Sequence, residues 1–164
     1  MDDIGGGENL NRYTIEPASI RHVRPMSVRM RPEAAMALDG YGFNPRAALR
    51  RAFVASFHCR TAMMDGHPVA MWGAAGTLMG DQAYVWLVLS DEIRAMPRAI
   101  LKEARADLES VMEDRPEIIA TVLPDDEAAI RFARHLGFTG DERIPLGDRH
   151  AIKLGYHPEA IREH

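Results

Sequence analysis

Apolar residues along this chain change their period several times, and each change marks an element. From Tyr84 to Leu89 they run unbroken as YVWLVL. That run is too short for an ordinary helix and too continuous for a strand with one wet face, so it predicts a central strand covered on both sides. Beyond it, Leu101, Ala104, Leu108, Val111 and Met112 recur at intervals of three and four, while Lys102, Glu103, Arg105, Asp107 and Glu109 take the opposite face. This is the pattern of an amphipathic helix of about five turns. Upstream, CRTAMMDGHPVAMWGA holds two apolar runs parted by Asp65-Gly66, a pair that tolerates positive φ in a two-residue hairpin. Strands are expected at 59–64 and 68–75, and Gly80-Asp81 turns the chain into the central strand, completing an antiparallel meander.

The remaining elements follow from caps and breakers. A short strand at 13–16 precedes Ser19, a candidate N-cap for a helix interrupted at Pro25. A helical segment from Pro32 to Leu38 is closed by Gly40 and Gly42. Asn44-Pro45 then opens a helix carrying Ala48, Leu49, Ala52, Phe53 and Phe57 inward. After the long helix, Pro116 stops helical continuation and 117–123 reads as a strand that returns parallel to the one the chain left, through a right-handed crossover. Asp125 or Asp126 caps a helix from Glu127, whose inward set is Ala129, Ile130, Phe132, Ala133 and Leu136 and whose end is Gly137-Phe138. Strands at 138–144 and 150–155, joined through Gly147-Asp148, complete the order. Residues 1–12 are Gly-rich and polar, a flexible leader with nothing to bury; 157–164 reads as a loose tail, and 13–156 as one domain.

Composition narrows the class of function. With 20 Lys+Arg against 24 Asp+Glu the net charge is −4, which argues against a direct nucleic-acid reader. The charge is uneven: residues 1–60 hold nine basic and six acidic side chains, the remainder eleven and eighteen. A basic N-terminal third can meet an anionic partner or simply complement the rest of the fold. The single cysteine, Cys59, forms no internal disulfide and reads as a small buried residue. No apolar run approaches the ~20 residues a bilayer requires, and MDDIGGGEN is acidic where a signal peptide is basic, so a cytoplasmic protein with no membrane partner is expected. The seven His show no metal-ligand spacing, and Gly5-Gly6-Gly7 follows no strand.

The junction after the central strand carries the chemistry. The first turn of a helix presents free N–H groups and the positive end of its macrodipole, and Arg94 and Arg98 flank that spot. The order of elements resembles the GNAT superfamily of acetyl-CoA-dependent N-acetyltransferases, over nearly the whole chain from Tyr13. Two motifs carry the resemblance. One is the Arg/Gln-x-x-Gly-x-Gly/Ala turn, here Arg94, Pro97 and Ala99; the other is the helix ending in Gly-Phe, here DEAAIRFARHLGF at 126–138. Longer phrases are similar to a set of tailed-phage proteins of the same fold with internal virion or head-assembly roles: MRPE, NPRAALRRAFVAS, HPVAMWGAA, WLVLSDEIRAMPRAIL and AIRFARHLGF.

The resemblance implies an α/β (α+β) fold: a mixed, mostly antiparallel sheet, a parallel pair at a cofactor cleft, and helices on both faces. It implies that acetyl-coenzyme A is held by Arg94, Ala95, Met96, Arg98 and Ala99 at its pyrophosphate, by Leu87, Val88 and Leu89 along its pantetheine arm, and by Asp126 at the position of the family's Asn. Two departures bear on activity. Pro97 replaces a glycine and deletes one N–H, and Ala133 stands where the family carries the Tyr that protonates the leaving thiolate. Tyr84 is a substitute proton donor, and Asp91 and Glu92 can deprotonate an amine directly or through water. A strand Tyr in the core, and a carboxylate cap or surface charge, are the structural alternatives. The expected function is acetyl transfer to a primary amine from a degenerate site. The alternative is a non-catalytic virion or head-assembly protein in contact with phage structural proteins, located in the host cytoplasm or the virion, with an oligomer left open.

Overall fold

A computed structural model describes residues 13–39, 44–76, 80–93 and 97–159. In chain order the elements are β1 (Tyr13–Pro17), α1 (Ile20–Arg29), α2 (Pro32–Asp39), α3 (Pro45–Ala55), β2 (Ser56–Met64), β3 (His67–Ala75) and β4 (Gln82–Leu89). They are followed by α4 (Arg98–Asp114), β5 (Glu117–Val122), α5 (Glu127–Leu136), β6 (Phe138–Leu146) and β7 (Arg149–Tyr156). The seven strands form one sheet in the order β1-β2-β3-β4-β5-β7-β6. Every neighbouring pair is antiparallel except β4 and β5, which the α4 crossover makes parallel. The mixed, mostly antiparallel sheet with its parallel pair and helices on both faces is the expected architecture.

Local chemistry explains the junctions. Asp65 and Gly66 take φ of 52° and 82°, the left-handed pair that turns β2 into β3. Asn44 caps α3 through Ala47 N at 3.1 Å, with Pro45 at the first helical position. Asp126, not Asp125, caps α5 through Ala129 N at 3.2 Å, and Gly137 ends that helix at φ 111°. Ser19 N–H donates to His22 Nδ1 at 3.1 Å, so Nδ1 is an acceptor and the ring proton sits on Nε2, 3.2 Å from Glu16 Oε1. With the Thr61 hydroxyl 2.9 Å from the same Nδ1, His22 ties α1 to β1 and β2.

The structure corrects three sequence expectations. α1 runs unbroken through Pro25, because Val23 and Met26 on either side are buried and hold the helix to the sheet at the loss of one backbone bond. β2 begins at Ser56, not Cys59, so Phe57 belongs to a strand and is exposed. Met112 also lies outside the inward stripe of α4, which Ile100, Ala104, Leu108 and Val111 form.

The core sits in layers on either side of the sheet. α4 and α5 cover one face over Ala74, Ala83, Ile118 and Leu154; the other carries α1–α3 over Met71 and Val88. Among the described residues no helix is long and apolar enough to cross a membrane.

Candidate functional site

β4 and β5 are paired only from Gln82 and Glu117 to Val85 and Ala120. Beyond that rung β4 stays with β3 as far as Leu89, while β5 stays with β7 as far as Val122. The two strands therefore part, and their facing backbone edges open into a fork. A cavity of about 130 Å³ lies there, walled by residues of β4, β5, α4 and α5 and reaching Arg31 and Ala34 on the other side.

Strand alternation decides which predicted residues reach it. Leu87 and Leu89 line the cavity. Val88 does not: it points to the opposite face and is buried against Met26 and Met71, a correction that follows from the period of two. Tyr84 is on that opposite face too, in the closed part of the β4–β5 ladder, half exposed, with its hydroxyl donating to Gln82 Oε1 at 2.8 Å. It is therefore not a core residue, and it does not line the cavity.

The carboxylates after β4 are held by the chain between α1 and α2. Met30 bridges Ser90, and Asp91 N–H donates to Arg29 O at 3.0 Å, which closes the outer end of β4. Glu92 pairs with Arg29, lies 3.5 Å from His67 Nε2, and takes a long bond from Ser90 Oγ at 3.3 Å. Asp91 is exposed. Asp126 lines the cavity, but its Oδ1 already caps α5 and lies 3.3 Å from Arg31 NH1. A ligand passing between β4 and α5 would meet that ion pair.

At the start of α4, Pro97 is the N-cap, with φ −63°, ψ 143° and no side-chain cap. Its carbonyl accepts from Leu101 N–H at 3.0 Å. The first-turn N–H groups of Arg98, Ala99 and Ile100 have no partner within the helix, which suits an anion. Arg94, Ala95 and Met96, predicted to complete the cradle, lie outside the described residues. Pro97→Gly restores a donor in unstrained backbone. A hydrogen bond to a charged group is worth roughly 1.5–3 kcal/mol, so the substitution is expected to tighten coenzyme A binding about tenfold or more, measured by calorimetric titration. Unchanged affinity would show that the first turn of α4 does not hold the phosphates.

Several cavity residues carried no functional expectation from the sequence. Trp86, the first β4 residue past the fork, lays its ring over Gly73 and donates Nε1–H to Ser56 Oγ at 2.8 Å. A Cβ at Gly73 would stand 2.9 Å from that ring, so the glycine is what lets the indole lie flat. Gly73 inside a strand was the available signal of a close approach. Trp72 donates Nε1–H to Asp107 at 2.7 Å; His58 Nε2 is 3.2 Å from the same carboxylate, poorly aligned for a hydrogen bond, and Arg60 lies at 3.7 Å. Nothing in the spacing of 58, 72 and 107 announces that cluster, because β2, β3 and α4 meet only in the fold. Ala133 also faces the cavity and brings no proton donor.

The overall fold has counterparts among solved structures. An acetyltransferase of the GNAT family from Bacillus anthracis superposes with a TM-score of 0.60 at 13% identity, over 90% of this chain and 96% of that one. The aminoglycoside acetyltransferase AAC(6′)-Ib, in complex with ribostamycin and coenzyme A, does so with 0.61 at 16% identity, over 92% and 96%. RimJ of Mycobacterium smegmatis, solved with CoA-disulfide, gives 0.59 at 12% identity, over 90% and 82%. The fold is the GNAT fold. No family model and no curated protein sequence matches the chain. Within the GNAT fold the fork and the α4 N-terminus are where coenzyme A was expected. The residues present suit it, with apolar walls for a pantetheine arm and uncapped amides for a diphosphate.

Proposed function

We propose that this protein is an acyl-coenzyme A-dependent N-acyltransferase that acts on a primary amine. The observation that carries the reading is the parting of β4 from β5 at Val85 and Ala120 with a largely apolar cavity at the fork. In this reading Leu87 and Leu89 flank the pantetheine arm. Arg98, Ala99 and the amides of the first turn of α4, with Arg94, Ala95 and Met96, hold the diphosphate. Asp126 keeps the entry formed through its ties to α5 and Arg31. The thioester supplies an activated acyl carbon. The amine nitrogen attacks that carbon, the C–S bond breaks, and the ammonium proton passes through water to the exposed Asp91, with Glu92 lending its charge nearby. The thiolate is protonated from solvent, since Ala133 offers no acid.

The acceptor approaches past Arg31, Ala34, Trp86 and Thr121, on the side opposite α4. A neighbour solved with an aminoglycoside substrate and another described as a spermidine acetyltransferase support an amine acceptor. Calorimetric titration with acetyl-coenzyme A is expected to give 1:1 binding. An aminoglycoside and polyamine panel, followed by thiol release, is expected to show slow turnover, since loss of a general acid costs typically 10²–10⁴-fold. No heat up to millimolar cofactor removes the reading. A second reading rests on Ala133, which offers no acid, and on the phage-like phrases: a scaffold without catalysis in a phage particle. Its absence from purified particles and assembly intermediates would remove that one.

A further inference from the structure

On the acyltransferase reading, which it requires, we infer that the donor carries an acyl group longer than acetyl, an aliphatic chain of about four to six carbons. The cavity does not end at the fork. It continues on the α4–α5 side of the sheet between Leu108 and Val111 of α4, Phe132, Ala133 and Leu136 of α5, and Phe138 of β6. These residues belong to the main core and are between 2% and 9% exposed, yet they enclose space.

The inner faces explain why. Ala104 on α4, Ala129 and Ala133 on α5, and Ala120 on β5 leave unfilled volume where one larger side chain would close it. Interiors normally pack to crystal density, and an unfilled void weakens the fold in proportion to its size. Apolar walls also give water no partners. An engineered apolar cavity of about 150 Å³ stays dry and takes up benzene. The cavity as a whole, fork included, is of the same order at ≈ 130 Å³, and its lining runs from Leu89 to Val111 and Phe138, whereas acetyl places only a methyl beyond its carbonyl. Of the two carboxylates lining the cavity, Asp107 is turned to Trp72 and Arg60, and Asp126 caps α5 and pairs with Arg31, which leaves the α4–α5 lobe to hydrocarbon.

The test is calorimetric titration of the full chain with acetyl-, butyryl- and hexanoyl-coenzyme A. Each buried methylene is expected to tighten binding about fourfold, so butyryl, with two more, should bind roughly fifteenfold tighter than acetyl, with a more negative heat-capacity change along the series. Val111→Phe, which adds bulk to the lobe's lining, is expected to abolish most of the gain for hexanoyl. Equal affinities along the series, or a folded Val111→Phe protein with the hexanoyl preference intact, would overturn the inference while leaving the acyltransferase reading standing. Failure of every ester and of free coenzyme A to bind overturns both. If Val111→Phe does not fold, the unsubstituted protein's series decides.

Discussion

Arg115→Met is expected to lower the melting temperature by about 6–12 °C. Arg115 follows α4, and its backbone N–H closes the helix on Val111 O at 2.9 Å. Its side chain is buried and reaches back to the start of β4, donating NH1 to Gly80 O at 3.2 Å and Gln82 O at 2.9 Å, with the guanidinium 4.5 Å from the Phe57 ring centroid. The cation lies at the negative end of the α4 macrodipole. Gly76 gives it room, since a Cβ there would stand 2.9 Å from NH1. One side chain thus joins the end of the crossover helix to the strand that preceded it.

Methionine keeps the apolar stem and removes the donors. Charge-assisted bonds contribute roughly 1.5–3 kcal/mol each and the cation–π contact about 1 kcal/mol, with partial re-solvation of the carbonyls offsetting some of the loss. A net of about 3 kcal/mol remains, and for a chain of this size each kcal/mol moves the midpoint by about 2–4 °C. Arg115→Lys keeps the charge without the fork and should fall between. Differential scanning calorimetry decides, and a shift below about 2 °C for the methionine variant would show that the β3–β4 connection does not depend on this contact. Coenzyme A affinity well below the midpoint should be little altered, because the phosphate end of the fork is at the other end of β4.

What the sequence disclosed and what it hid divide along physical lines. Periodicity and caps are local, so the YVWLVL strand, the Asp65-Gly66 hairpin, the Asn44 and Asp126 caps and the Gly137 terminus could be read from the chain alone. The parallel β4–β5 pair followed from the helical crossover that separates two apolar strands. Pro25 misled because a breaker states only a local cost, and the burial of Val23 and Met26 outweighs it. The site was less legible. The run of three apolar residues at 87–89 reads as one wall, but alternation sends Val88 to the other helical layer. Asp91 and Glu92 are adjacent in sequence, yet the Arg29 guanidinium pairs with Glu92 while its backbone carbonyl takes the Asp91 N–H. Arg31 against Asp126, and His58, Trp72 and Asp107 together, are long-range meetings without a sequence period to reveal them.

Cys59 is expected to react with a thiol reagent at pH 8 on the order of a thousandfold more slowly in the folded protein than in urea. It lies on β2 opposite Gly73, half-buried against the α1–α3 layer. Burial pushes its thiol up from 9.0 to about 12, only partly opposed by the backbone N–H of Arg60. The reactive species is the thiolate. At pH 8 a group titrating near 12 is ionised to about one part in ten thousand, and an unfolded cysteine to about one part in ten. The linkage has a definite sign. The unfolded chain loses this proton first as pH rises, so the stabilisation from keeping Cys59 neutral is complete below about pH 9 and is lost progressively toward pH 12.

That rate bears on mechanism as well as stability. Cys59 packs against the α1–α3 layer and is not on the cavity lining, so it is not placed to form an acyl-enzyme, and on the acyltransferase reading transfer goes directly from sulfur to the amine nitrogen. Stopped-flow labelling of native and urea-unfolded protein separates the cases. Native labelling within tenfold of the unfolded rate would show Cys59 to be accessible and ionised, and would reopen a covalent route. The slow rate expected also means that thiol release in an acyl transfer assay reports coenzyme A alone.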